Sequence, residues 1–496
     1  MALKAEKPSL FFVPTGLHKY FQKVRMSHRP QNVYMSNFIP LICIGYNHNT
    51  HSFYAILPKR FKMSLSVVIL AAGQGTRMKS ATPKVLHEIS GKPMLFHAID
   101  AAQQLCDDIT VVLYHEAARI QKAIETSYNN IKFHTQDVAR FPGTGGAMKG
   151  VKTLHTKVLI LNGDMPLVTT EGLSSLIQGD ADINMSVIQL SKPSGYGRVA
   201  INHGNVLEII EEKDCSPSQK EIETVNAGVY CVKQEVLERY IPALQNHNAQ
   251  KEYYLTDIIK MAVDEGKTVH PVMVAEEEFK GVNSKLDLAH AEAIHQRRIK
   301  EAWMKAGVSM RLSETIYIDA RATFEGECML ENGVSILGAS HIIASHIKAH
   351  SVIEDATIKN SDVGPMARIR PDSILSDTHI GNFVEVKKST LTGVKAGHLS
   401  YLGDATIDTG TNIGAGVITC NYDGKKKSQT IIGKNVFVGS DTQLIAPVTI
   451  EDDVLIAAGS TITKNVAKGN LAKSRVPMET VENFFYRFFK KSPHAD

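Results

Sequence analysis

The sequence predicts two folded parts in tandem: a doubly wound α/β domain and a parallel β-helix built of hexapeptide repeats. Three observations carry this. Continuous apolar runs at 66–70 and 158–161 end in small or polar turn residues, as the buried strands of an open sheet do. Helical patterns such as Pro93–Leu105 alternate with those runs. From about Ser309 the texture changes, and an aliphatic residue recurs every sixth position at Ile432, Val438, Leu444, Ile450, Ile456 and Ile462.

Composition bounds the answer before any motif does. The 496 residues are 43% hydrophobic and 21% charged, an ordinary globular balance that excludes wholesale disorder. The longest apolar stretch, Phe38–Tyr46, contains Pro40 and Gly45. It falls well short of the roughly 20 apolar residues of a membrane span. Six cysteines (43, 106, 215, 231, 328, 420) form no C-x-x-C pair, which fits reduced thiols in a cytoplasmic protein.

Residues 1–62 hold nine Lys/Arg against one acid, Glu6, whereas the whole chain carries only +4. The body after Met63 is therefore slightly acidic and gives no case for nucleic-acid binding. No sustained helical or strand period runs through 1–62, so an unstructured extension is expected. A translated leader upstream of a start at Met63, a targeting segment and a regulatory arm all fit it.

The α/β domain is expected over 63–283. Its first strand runs into Ala71-Ala72-Gly73-Gln74-Gly75-Thr76-Arg77. Glycines there let the backbone turn sharply and offer amides to phosphate oxygens. The turn departs from both G-x-G-x-x-G and Walker A, so by itself it also fits simple packing. Arg77 and Pro83-Lys84 add two cations close behind it; as a bare pair they also fit solvated surface charges. Asp164 follows the second buried strand, at the sheet end where open α/β folds bind ligands, and a hard carboxylate there suits Mg²⁺ beside phosphates.

Taken together, Leu70-Ala-Ala-Gly-x-Gly-Thr-Arg77, Pro83-Lys84 and Gly163-Asp164-x-Pro166 resemble the sugar-1-phosphate nucleotidyltransferases. Gly143-Thr144-Gly145, Gly195-Tyr-Gly-Arg198, Glu211, Asn226-x-Gly228, Glu252–Asp257 and Gly281-Val282-Asn283 narrow this. They are similar to the uridylyltransferase half of the bacterial bifunctional N-acetylglucosamine-1-phosphate uridylyltransferase/glucosamine-1-phosphate acetyltransferase family. The resemblance implies that Leu70, Ala71, Ala72, Gly73, Lys84, Gln136, Gly143 and Thr144 hold UTP. It implies Gly197, Glu211 and Asn226 on the amino sugar, Gly163 among the substrate-binding residues, and Asp164 and Asn283 on Mg²⁺. Arg77 and Lys84 would neutralise phosphate charge as catalytic cations. Asn162 stands where that family commonly has Tyr, and two extra residues lie between Gln136 and Gly143.

Residues 284–308 read as one charged, alanine-rich linker helix holding the sole tryptophan, Trp303. The repeat domain is expected over 309–478. Ile374, Ile380 and Val386, then Ile407 and Ile413, continue the sixfold spacing, and small or β-branched residues follow four positions after the later pegs. Three hexads make one triangular coil whose pegs share a narrow core, and coils stack because none buries its own face.

Chemistry concentrates where the count is interrupted: Val386-Lys387-Lys388, the His398 and Tyr401 loop, and Cys420–Lys427. A lone loop histidine is most often a surface hydrogen-bonder. His398, however, sits in a run similar to the acetyltransferase half of the same family. That resemblance implies a left-handed β-helix and a homotrimer, with His398 as general base. It implies Arg370, Lys387, Tyr401 and Asn412 around glucosamine 1-phosphate, with Glu385 near its amine. Acetyl-CoA would meet Ala415, Asn421, Tyr422, Ser440, Ala458 and Arg475. The same comparison makes 309–370 about one coil short.

The aromatic, basic tail within 479–496 fits packing over a neighbouring subunit or a membrane-surface helix. The expected protein is a cytoplasmic enzyme that acetylates glucosamine 1-phosphate and joins N-acetylglucosamine 1-phosphate to UTP. A monofunctional nucleotidyltransferase with an oligomerising β-helix and a non-catalytic interaction protein are the rival readings. Lys84, Asp164 and His398 weigh against both.

Overall fold

The computed structural model describes residues 43–47, 52–56, 64–248 and 250–490. The chain divides into a unit over Met1–Phe61 and a unit over Lys62–Asp496. In the first, Cys43–Asn47 pairs antiparallel with Ser52–Ile56. The expectation of an unstructured 1–62 is thus corrected over these ten residues. Two short runs rich in β-formers, separated by four polar residues, make a hairpin that a search for longer periods misses. The remainder of that expectation, like the last six residues of the tail, lies outside the described residues.

In the second unit a nine-stranded mixed sheet forms first. Leu65–Leu70 lies parallel between Asp108–Leu113 and Lys157–Asn162. Ile131–Thr135 extends the parallel set, while Thr224–Lys233 joins Lys157–Asn162 antiparallel. Successive residues of the first strand go to opposite faces: Leu65, Val67 and Ile69 enter one core cluster and Val68 the other. A strand buried on both faces needs the unbroken apolar run seen in sequence. The expected helix after it is Met94–Gln103.

The linker helix spans Lys285–Lys305, starting from Ser284, whose hydroxyl accepts from Asp287 N–H. Such a cap stabilises a helix start by about 1 kcal/mol. Gln296, buried in this helix, brackets one residue of the next domain: Ile318 N–H donates to its Oε1 at 3.0 Å and its Nε2 donates to Ile318 O at 2.7 Å. The same Nε2 donates to Ser90 Oγ of the first domain at 2.9 Å. One helix therefore ties both domains together.

From Ser309 the chain winds as a left-handed parallel β-helix with walls of ten, nine and eight strands. All six pegs from Ile432 to Ile462 are buried. So are Val436, Thr442, Val448, Val454 and Ser460 between them. One expected peg is corrected: Ile374 is 47% exposed and Leu375 is fully buried in its place. The buried series runs Val363, Ile369, Leu375, Ile380, Val386, Leu391, Ala396, Leu402, Ile407 and Ile413, in steps of five and six. A corner that gives up one residue shifts the peg by one, and a strict count of six slips.

Corners turn through left-handed backbone. Along the edge between the ten- and nine-stranded walls the corner residues are Met366, Phe383, Leu399, Gly416, Asp441 and Gly459, all with positive φ. Bulky residues rarely adopt this conformation, yet Met366, Phe383 and Leu399 do so with exposed side chains.

Two candidate active sites

The first site lies at the carboxyl ends of the parallel strands. A cleft of about 460 Å³ is lined by Leu70, Ala71, Ala72, Gly73, Lys84, Gln136, Gly143, Thr144 and Asp164. Every residue expected to hold the nucleotide borders this one space. A second cleft of about 520 Å³ shares Leu70, Thr144 and Asn162 with it and is lined further by Glu211 and Asn226. Gly197 stands beside them, its carbonyl accepting from Asn226 N–H at 2.9 Å. Gly163 is held on the first strand, its N–H donating to Leu70 O at 2.9 Å.

Local sequence explains these positions. Gly143 has φ +91°, and a Cβ there would fall 2.6 Å from Tyr253 O, so only glycine fits. Gln136 donates through Nε2 to Phe141 O at 2.9 Å and Gly143 O at 3.0 Å, which closes the turn containing the two extra residues. Asn162 donates to Gly228 O, joining the two clefts. Burial, then the neighbouring Asp214 and Asp257, raise the Glu211 pKa, so its carboxyl favours the protonated form more than an exposed glutamate does.

At the floor, Lys84 Nζ donates to Asp164 Oδ2 and, at 2.6 Å, to Asn283 Oδ1. Arg77 Nη2 donates to the same Asn283 oxygen at 2.8 Å. The linker helix positions Asn283: Asp287 Oδ2 accepts from Asn283 N–H at 3.1 Å and from Ser284 Oγ at 2.8 Å. Burial opposes ionisation of Asp287, but these hydrogen bonds outweigh it and hold its pKa below the usual range. Asp164 and Asn283 offer two hard oxygens that already share one cation, the lysine ammonium. A donor set of this kind, completed by phosphate oxygens and water, fits Mg²⁺.

The second site spans the nine-stranded wall, from the edge whose corners are Phe383, Leu399, Gly416, Asp441 and Gly459 to the far ends of its strands. His398 and Tyr401 flank Leu399, with His398 on the ten-stranded wall opposite Asn382 and Tyr401 on the nine-stranded wall opposite Glu385. Asn412 lies one coil further on the ten-stranded wall. Lys387 pairs in register with Gly403. Arg370 donates to Glu385 Oε1 at 2.8 Å from the adjacent coil.

Ala415, Ser440 and Ala458 stack one above another at successive corners. Ala415 O accepts from Asp441 N–H at 2.7 Å, and Ser440 O from Gly459 N–H at 2.8 Å. Arg475 reaches the same edge beside Gly459. Asn421 and Tyr422 begin the inserted loop, Asn421 donating to Asp404 and Tyr422 standing 60% exposed. The structure adds one cation that sequence reasoning had not assigned. Lys427 at the end of this loop stands within hydrogen-bond reach of Lys387, and that contact first, then the charges of Lys427 and Arg370, lowers the Lys387 pKa. The run Lys425-Lys426-Lys427 signalled positive charge without saying which lysine meets Lys387.

Comparison with known proteins agrees with this layout. Residues 67–225 match the MobA-like NTP transferase domain family, and residues 429–464 match the bacterial transferase hexapeptide family (six repeats). The chain is similar to the bifunctional protein GlmU of a Sulfurovum species, at 72% identity over 86% of this chain and 99% of that one. It is 60% identical to that of a Nitratiruptor species, over 87% of this chain and 100% of the relative. It is 59% identical to that of Wolinella succinogenes, over the same shares.

Proposed function

The chain belongs to the family of bifunctional GlmU proteins, and from that premise we propose how its residues divide two activities. It is an enzyme of UDP-N-acetylglucosamine synthesis that first acetylates glucosamine 1-phosphate and then transfers uridylyl to the product. The uridylyltransferase domain is 63–283, the linker 284–308 and the acetyltransferase domain 309–478.

In the first site the sugar phosphate is the nucleophile. One of its oxygens attacks the α-phosphorus of UTP and pyrophosphate leaves; the attacking oxygen is already anionic, so no general base is required. Leu70–Gly73, Gln136, Gly143 and Thr144 hold the nucleotide. Gly163, Gly197, Glu211 and Asn226 hold the sugar phosphate. Arg77 and Lys84 neutralise charge on the phosphates, and positioning supplies the remaining rate. Asp164 and Asn283 would hold Mg²⁺, which when bound would neutralise negative charge on the phosphates.

In the second site His398 removes a proton from the sugar amine as nitrogen attacks the acetyl carbon, and coenzyme A leaves as the thiol. Arg370, Lys387 and Lys427 surround the phosphate of the sugar. Tyr401 and Asn412 orient the ring, and Glu385 lies near the amine. Ala415, Asn421, Tyr422, Ser440, Ala458 and Arg475 carry acetyl-CoA. These residues spread over the outer face of one wall and its edge, where one chain encloses no ligand. A homotrimer that sets this edge against a neighbour, with Met366, Phe383 and Leu399 in the contact, completes the groove. UTP and acetyl-CoA are cytoplasmic, so the enzyme works there.

The observation that carries the reading is that all the expected nucleotide residues line one cleft while His398 and its expected partners lie apart from it on the β-helix. Purified protein should consume acetyl-CoA with glucosamine 1-phosphate and release pyrophosphate with UTP and N-acetylglucosamine 1-phosphate. Absence of either rate in folded protein overturns the corresponding half. For the shared groove, mixing His398→Ala chains with Arg475→Ala chains should restore part of the acetylation. No recovery in proven mixed trimers rejects it.

A further inference from the structure

The floor of the nucleotide cleft contains an arrangement that the two activities leave unexplained. Asp164 and Asn283, the two oxygen donors for a metal, are already bridged by a single cation of the protein itself. Lys84 Nζ contacts both, and Arg77 Nη2 adds a second positive charge on the Asn283 oxygen. A divalent cation cannot share these oxygens with the ammonium, because like charges at hydrogen-bond range repel strongly in a partly buried site. One of them must leave.

The lysine is the one built to move. Its charge sits on a flexible four-carbon stem, whereas Asp164 is fixed by its strand end and Asn283 by the helix cap at Ser284 and Asp287. The base of that stem packs under the glycine turn: a Cβ on Gly75 would lie 2.5 Å from Lys84 Cβ and 3.3 Å from its Cδ. The ammonium can therefore pivot about an anchored base, from the two oxygens toward the Leu70–Gly73 turn that lines the cleft.

We propose that Lys84 is a displaceable occupant of the metal position, so that the free enzyme resists divalent cations until nucleotide phosphates draw the ammonium away. Metal and nucleotide then enter together, and the emptied enzyme closes its own metal site. The proposal rests on the assignment of Asp164 and Asn283 as metal ligands.

Mn²⁺ alone is the probe, titrated into full-length protein without nucleotide and read by the electron paramagnetic resonance of the free ion. Wild type should bind weakly at this site. Lys84→Met, which keeps the stem and removes the charge, should bind about tenfold tighter or more. Lys84→Arg should stay as weak as wild type, and Asp164→Ala in the Lys84→Met background should abolish the gain. Circular dichroism establishes that each variant is folded. Equal affinity of wild type and Lys84→Met overturns the proposal. If wild type already binds tightly and loses that binding in Asp164→Ala, the metal assignment survives while the displaceable lysine falls. If the tight binding of Lys84→Met is indifferent to Asp164, both fall.

Discussion

Gly91 is the most constrained point of the joint between the domains, and replacing it tests how that joint is built. Its φ is +76°, and a Cβ there would stand 1.8 Å from Asp319 Oδ2 and 2.5 Å from Asp319 Cγ. Asp319 cannot simply step aside. It is 3% exposed, and its carboxylate accepts from Arg321 N–H and Nε at 2.9 Å, from Arg321 Nη2 at 2.8 Å and from Gly338 N–H at 3.1 Å. Alanine in left-handed backbone costs about 1 kcal/mol. Driving a buried carboxylate from its partners adds about 3 kcal/mol. Gly91→Ala should therefore destabilise the joint by about 4 kcal/mol. Gly307→Ala is the control: φ is +102° but nothing lies within 4 Å of its Cβ, so about 1 kcal/mol is expected. Trp303 reads both, since it is the sole tryptophan and packs edge-on against Phe324 at 5.0 Å. Urea unfolding followed by its fluorescence should show a loss several times larger for Gly91→Ala. Equal losses would refute the steric argument and show that Asp319 is free to move.

Asp164→Ala should remove uridylyl transfer and spare acetylation, and His398→Ala should do the reverse with a loss on the order of 10²–10⁴; two rate assays on each folded variant check this. Lys427→Ala should raise the KM for glucosamine 1-phosphate about tenfold, the usual worth of one charged hydrogen bond, and leave the uridylyl rate alone; an unchanged KM excludes Lys427 from the phosphate site. His97 and His295 meet edge-on at 4.6 Å in the joint, and burial first, with the nearby Lys92, pushes His97 down to about 4 and burial with His97 pushes His295 down to about 3. Because the unfolded chain takes up these protons near pH 6.5 and the folded chain does not, stability is complete above that pH and falls on acidification, by about 2 kcal/mol per histidine at pH 5. Urea midpoints between pH 7 and 5 measure it, and a flat profile contradicts neutral buried rings.

Local chemistry was legible in the sequence wherever a backbone rule or a period fixed it. An unbroken apolar run marks a strand buried on both faces, and the glycine turn after it marks the cleft. The pegs from Ile432 to Ile462 announce a coil because each must reach the same narrow core. Family resemblance then attached roles to Lys84, Asp164 and His398. What depends on residues far apart was not legible. Ile374 and Leu375 are both apolar neighbours, and only the corner geometry decides which points inward. Lys427 is one of three consecutive lysines until the inserted loop brings it against Lys387. Gln296 is an ordinary polar residue of a charged helix until the fold sets it between Ser90 and Ile318. Asn283 and Lys84 are 199 positions apart, and their shared contact with Asp164 follows from three elements meeting at one sheet end. Periodicity and turn chemistry act over a few residues and are written in the chain. The company a charged or polar side chain keeps is set by packing between distant elements, and only the tertiary structure decides it.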